Sequence, residues 1–197
     1  MEVQRLVDAR RGSLAPEGEG VIYCTSHAKC RVLAQRLGCH YYHASPQDSA
    51  AHFLAQREAG FQAWVQGATP YIVATAALGT GIHVAGIIHV IHLEAPRSII
   101  DYAQEAGRAG RAGERVTTAI VVEDKDWPVE DTAKESQLEL KAREVNRLIR
   151  TAGCRRSILG RHLDSDLRDC RGLRRRSCAT TAGGRSSAGR ASSRGKG

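Results

Sequence analysis

The chain has 197 residues with 29 Lys and Arg against 21 Asp and Glu, a formal net charge of +8, enough length for one globular domain with extensions and a sizeable core. No run of about 18 apolar residues occurs, which argues against a membrane-spanning helix, and the start Met1-Glu2-Val3-Gln4-Arg5 lacks the order of a secretory signal, so a soluble intracellular protein with no membrane partner is expected. The charge is concentrated: residues 171–197 hold seven Arg, one Lys and no acid, leaving 21 basic and 21 acidic residues in 1–170, so bulk charge does not name the partner of the folded part.

Residues 1–19 read as a short helix followed by a linker broken by Gly12, Pro16 and Gly18. Val21-Ile22-Tyr23-Cys24 is a strand-like apolar run, and Thr25-Ser26 caps a helix from His27 to about Leu37 with Val32, Leu33 and Leu37 on one face. Tyr41-Tyr42-His43 is a second short strand. Ala50 to Gly67 reads as a helix whose apolar side is Phe53, Leu54, Phe61, Trp64 and Val65, and Tyr71 to Thr75 as a strand. Ile87 to Leu93 is a further strand, Ile99 to about Ala109 a helix opened by Pro96-Arg97-Ser98, and Val116 to Val122 a strand. Strands apolar on both faces, alternating with helices, predict a parallel α/β sheet. Lys134 to Arg150 reads as a solvent-facing helix and Cys154 to Leu163 as another, while the Arg, Ser, Gly and Ala after Cys170 carry no periodicity and predict disorder. Domain boundaries are therefore expected at 1–19, 20–125, 126–170 and 171–197.

Gln104-Glu105-Ala106-Gly107-Arg108-Ala109-Gly110-Arg111 is the sharpest string. Two arginines three apart would project from one face of a helix end, with glycines allowing close approach, and guanidinium forks suit phosphate oxygens. Val73-Ala74-Thr75-Ala76-Ala77-Leu78-Gly79-Thr80-Gly81-Ile82 ends a strand in a Gly-spaced turn fit for a phosphate. In a RecA-like sheet the first string resembles motif VI of superfamily 2 helicases and the second resembles motif V of RecQ helicases. Val21 to Ser26 resembles motif IV, and Tyr42-His43-Ala44 the element that follows it; Ile91 to Pro96 and Asp101-Tyr102-Ala103 resemble fungal RecQ-like proteins in particular.

The resemblance implies the second RecA-like lobe of an ATP-dependent 3′–5′ DNA helicase. It implies Arg108 and Arg111 on ATP phosphate, with Gly107 and Gly81 beside them, Gln104 coupling the two lobes, and Thr75, Gly79, Thr25, Ser26 and His43 along DNA. It further implies nuclear location, DNA as partner, and ATP with Mg held mainly by a first lobe, since the chain contains no G-x-x-x-x-G-K-[ST] and no D-E-x-H. Activity of this lobe alone is not expected; the alternative is a non-catalytic module that binds nucleic acid or a protein. A DEAD-box RNA helicase lobe fits less well, because that family places His where Gln104 leads.

His83 stands where the family usually has Asp, and residues 45–57 lack the usual glycine and basic cluster. Cys154, Arg155 and Cys170 resemble the start of a RecQ zinc subdomain. With Cys178 they supply three thiolates where a structural site needs four ligands, so no zinc is expected. Codons for Cys-Asp-Asn-Cys-Gly shifted by one base encode Ala-Thr-Thr-Ala-Gly, the run at 179–183, so the tail reads as an out-of-frame zinc module. The competing reading is a basic nucleic-acid-binding arm, though it has no aromatic residue for stacking. Six scattered cysteines (Cys24, Cys30, Cys39, Cys154, Cys170, Cys178) are expected as thiols, and His89 and His92 as packed histidines rather than metal ligands.

Overall fold

The structure is a computed structural model that describes residues 2–11, 19–44, 51–79, 84–111, 113–123 and 137–163. Its elements are α1 (Glu2–Arg11), β1 (Glu19–Cys24), α2 (His27–Leu37), β2 (His40–Tyr42), α3 (Ala51–Val65), β3 (Tyr71–Ala74), a 3₁₀ turn (Ala76–Gly79), β4 (Ile87–Leu93), α4 (Ile99–Ala106), β5 (Thr117–Val121), α5 (Gln137–Arg150) and α6 (Arg155–Leu163). The five strands form one sheet in the order β2-β3-β1-β4-β5, and every pairing is parallel. The expected RecA-like α/β architecture, with a helical extension, is therefore present.

Successive strand residues point to opposite sides, and both sides are covered, which is why the strands read as unbroken apolar runs. On one face Ile22, Cys24, Tyr71, Val73 and Ile91 meet Cys30, Leu33, Ala34 and Leu37 of α2 and Val3 and Val7 of α1. On the other, Val21, Tyr23, Ile72, Ala74 and Val90 pack with Trp64 of α3 and Leu78 of the 3₁₀ turn. α1 precedes the boundary expected at residue 20, yet its two valines are buried in this core.

Local chemistry sets the helix ends. Ser26 caps α2 through a bond from Lys29 N (3.5 Å), and Gly38 ends it at φ 63°, a left-handed conformation that glycine adopts without the steric cost of a Cβ. Ser98 opens α4: its Oγ accepts from Asp101 N (3.0 Å) and donates to Asp101 Oδ2 (2.8 Å).

Several expectations are corrected. Val32, Leu54 and Val65 are exposed: in α2 the 3.6-residue period aligns Cys30, Leu33, Ala34 and Leu37, and Val32 falls outside that stripe. His43 lies beyond β2 rather than in it. α5 is not simply solvent-facing, because Val145 and Leu148 are buried where α5 and α6 pack on α4. Arg155 donates to Leu148 O (3.1 Å) and Ile149 O (3.2 Å), satisfying carbonyls that the end of α5 leaves open. The segments expected to be disordered after residue 170 lie outside the described residues.

Buried His89 and half-buried Glu19 act on stability in opposite directions. Burial, helped by the Arg10 charge, lowers the His89 pKa from 6.5 to about 4; burial raises that of Glu19 from 4.5 to about 7. The folded chain keeps His89 neutral, so this contribution is complete above pH 6.5 and is lost as pH falls towards 4. Glu19 prefers its proton in the folded chain, so its contribution is complete below pH 4.5 and is lost as pH rises towards 7. Between those values the two slopes oppose each other. Glu19→Gln should expose the His89 slope: the melting temperature of the variant should fall from pH 6.5 to 4.5 more steeply than that of the wild type, measured by circular dichroism. Parallel profiles would rule this out.

Candidate nucleic-acid and phosphate site

Right-handed crossovers place α2 on one face of the sheet and α3 and α4 on the other. The chain leaves β1 towards β2 and leaves β4 towards β5, so a crevice opens between the carboxyl ends of these neighbouring strands, where ligands of open α/β sheets bind. A hollow of about 330 Å³ lies there, bounded by Cys24, Thr25 and His27 after β1, Thr75 to Ala77 after β3, His92 to Glu94 at the end of β4, and Arg97, Asp101 and Glu105 around α4.

Thr25 is exposed at the bend after β1, and its hydroxyl donates to the Glu94 carboxylate, which also takes the Lys29 ammonium. Ser26 is occupied as the α2 cap. Thr75 is nearly buried: its N–H is held by Tyr42 O (3.1 Å), and its Oγ accepts from Ala77 N (3.4 Å), a local turn that shapes the 3₁₀ segment ending at Gly79. His43 is fully buried, stacked on His27 (4.6 Å) and Tyr41 (5.2 Å), with Arg31 Nε on its Nε2 (3.1 Å). The exposed ring at the hollow is His27, not His43, because His43 fills the space under α2 and α3.

The arginine string behaves differently from expectation. α4 ends at Ala106, so Arg108 and Arg111 sit in the turns beyond it rather than on a helix face. These turns run back across the α3 side of the sheet, where Gly110 N bonds Ile87 O (3.0 Å) at the amino end of β4. Arg108, Arg111, Trp64, Leu78, Val84 and Ile87 line a second, smaller hollow there. The two strings thus share a face of the sheet, with Thr75 at its carboxyl edge and the arginines farther back.

Between them lies a buried polar group. Tyr23 and His92 stack (5.4 Å), His92 Nε2 meets Glu105 Oε2 (2.9 Å), and the imidazole also meets the Tyr102 ring at a tilt (5.0 Å). Burial pushes the Tyr23 hydroxyl above its ordinary range, against the pull of the Arg108 guanidinium and with a smaller push from Glu105. Arg108 is half-buried, whereas Arg111 and Gln104 are exposed. Gly107 caps α4 at φ −71°, and a Cβ there would stand 2.7 Å from Ala103 O. Gly81 and His83 lie outside the described residues.

Sequence reasoning missed Glu94, Lys29, His27, Tyr23 and Glu105 as members of the site. Glu105 and Glu94 both stood inside quoted strings and His92 on a quoted strand, but nothing in the sequence signalled the backbone conformation that sets Glu94 apart (φ 83°). Among the described residues no group of three or more His, Cys, Asp or Glu is placed to hold a metal ion, and Cys170 and Cys178 lie outside them. Cys24 and Cys30 are buried thiols whose pKa burial pushes up to about 12, which makes them poor nucleophiles.

Residues 2–113 match the family described as helicase conserved C-terminal domain. The chain belongs to that family. This helicase domain is of the superfamily 2 type and resembles RecQ-family helicases: it is 30% identical over 168 residues to the ATP-dependent DNA helicase RecQ of Pasteurella multocida, covering 77% of this chain and 26% of that protein. It is 36% identical over 105 residues to the RecQ-like DNA helicase BLM of Xenopus laevis, covering 50% of this chain and 7% of that one. The chain spans about a quarter or less of the length of these curated relatives. Its fold is similar to that in the crystal structure of the E. coli DEAD-box protein SrmB bound to RraA, with a TM-score of 0.50, 22% identity, and coverage of 64% of this chain and 70% of that one.

The helicase domain's arginine turn depends on Gly110, which sits at φ 73° and whose added Cβ would stand 2.7 Å from Val116 Cγ2. Gly113, at φ 92°, has open space around it. Gly110→Ala should therefore cost more stability than Gly113→Ala, about 2–4 against about 1–2 kcal/mol, because only the first adds a steric clash to the backbone strain. Chemical denaturation of both variants checks the order, and equal losses would remove the packing argument.

Proposed function

We propose that this chain is the second RecA-like lobe of a RecQ-type ATP-dependent 3′–5′ DNA helicase, acting in the nucleus in DNA repair and recombination. The single observation that carries the reading is the shared construction of the two hollows. Thr25 and Thr75 flank one at the strand carboxyl ends, Arg108 and Arg111 line the other, and α4 with Tyr23 and Glu105 joins them. The relatives, an ATP-dependent DNA helicase RecQ and a RecQ-like DNA helicase, support the same choice.

In this reading DNA lies along Thr25, Ser26, Thr75 and Gly79, with His43 acting from behind His27. ATP and its Mg are held mainly by a first RecA-like lobe, encoded in a longer chain or supplied in trans, because these 197 residues contain no phosphate-gripping loop of their own. Arg108 and Arg111, with Gly107 and Gly81 beside them, reach the phosphates across the cleft, and Gln104, exposed on α4, couples nucleotide state to the lobe interface. Their guanidinium groups would stabilise charge developing on the transferred phosphoryl group, an effect larger in the transition state than in the ground state.

Joining this lobe to a RecQ first lobe should restore DNA-stimulated ATP hydrolysis, and Arg108→Ala or Arg111→Ala should then lower turnover by about 10³-fold or more with a smaller change in ATP affinity. Arg111→Lys should resemble Arg111→Ala, because an ammonium lacks the planar two-oxygen grip. If both alanine variants turn over ATP at the parental rate in the joined pair, the arginines are not fingers. ATP turnover by the 197-residue chain alone would instead overturn the dependence on a first lobe.

A further inference from the structure

The hollow at the strand carboxyl ends is an unusual place for a polyanion, because three carboxylates, Glu94, Asp101 and Glu105, line it. All three are engaged within the protein, two of them at or behind the wall of the hollow: Asp101 with the Ser98 cap at the start of α4, and Glu105 with buried His92. The third is different. Glu94 takes the Thr25 hydroxyl and the Lys29 ammonium, a hydroxyl and a cation of the kind that grip a phosphate oxygen pair.

The backbone at Glu94 is special as well. It is the one non-glycine among the described residues with positive φ, at 83°, a conformation unfavourable for a side chain with a Cβ and found where function holds it in place. Its N–H is fixed to Val121 O (2.7 Å), so the main chain is anchored to β5 while the side chain alone can swing. The Glu94 side chain is 23% exposed and that of Lys29 54%, so the ammonium can follow a ligand outward whereas the carboxylate sits on the inner side.

We propose that the Glu94 carboxylate is a resident stand-in for a nucleic-acid phosphate: it occupies the anion position between Thr25 and Lys29, and yields it when a backbone phosphate of single-stranded DNA enters. This rests on the DNA-binding reading of the hollow given above and adds a regulatory element to it. The lobe pays for each entering phosphate by breaking its own ion pair, so it grips DNA weakly unless the exchange is complete.

The test uses the full 197-residue chain and a fluorescein-labelled oligothymidylate, with anisotropy read between about 50 and 200 mM salt. Glu94→Gln should tighten binding about fivefold at the lower salt and make the slope of log K against log salt more negative by about 0.7, the value for one further phosphate on a single strand. Glu94→Asn, whose side chain tolerates positive φ better, should act the same way if the glutamine variant folds poorly. Combining either with Lys29→Ala should remove both gains; gains that survive in that background are a general effect of net charge and overturn the proposal, as does unchanged or weaker binding by both Glu94 variants. Thr75→Glu, on the opposite wall, separates the two levels. If it weakens binding while the Glu94 variants fail to tighten it, the stand-in idea alone falls. If neither wall matters, the hollow is not the DNA site and both readings fall.

Discussion

A sheet covered on both faces by helices leaves only its two edges of strand ends open to a ligand, and in an all-parallel sheet every strand presents its carboxyl end to the same edge. That constraint organises this domain. Ile22, Val73 and Ile91 on one face and Val21, Ile72 and Val90 on the other are fully or nearly fully buried, each contributing about 1.5–3 kcal/mol by leaving water. With both faces occupied, polar side chains of use to a ligand gather where the strands stop: Thr25 after β1, Thr75 after β3 and Glu94 after β4. The reversal in winding between β1 and β4 then opens the edge into a crevice.

The buried polar cluster behind this edge follows from the same constraint. Tyr23 and His92 occupy paired positions on adjacent strands and point to the α4 side. A buried imidazole needs a partner, and Glu105 supplies it from the second turn of α4. The placement of α4 against the sheet is thereby set by a directional contact in addition to the packing of Ile99 and Tyr102, and Tyr102 adds a bond to Thr118 of the edge strand (3.1 Å).

Much of this was legible in the sequence because it depends on local rules. The apolar runs at Val21 and Ile87, the Ser26 cap and the part of the Val73-to-Ile82 string up to Gly79 all predicted elements that the fold contains. What was not legible depends on three-dimensional neighbours. Val32, Leu54 and Val65 are apolar but fall outside the buried stripes. The opposite error occurred at α5, whose valine and leucine need α6 and α4 as partners before they can be buried. The arginine string suggested a helix face, yet α4 stops at Ala106 and Gly110 takes a left-handed turn against Val116. Glu94 is the extreme case, since nothing in its neighbours Leu93 and Ala95 announces a positive φ.

The end of α4 gives the two arginines unequal positions. The helix has eight residues, about 12 Å at the usual rise. It starts beside the hollow, through Asp101, and ends where the chain turns towards the amino end of β4. Arg108 leaves this end half-buried against Tyr23, so its charge acts on a ring that also lines the hollow at the strand ends. Arg111, three residues on, is exposed and has no such tie to β1 in the geometry of the turn. In a low-dielectric setting the nearer contact dominates, so the Tyr23 ring, and with it the wall of the hollow at the strand ends, is tied electrostatically to half-buried Arg108, while Arg111 stands exposed.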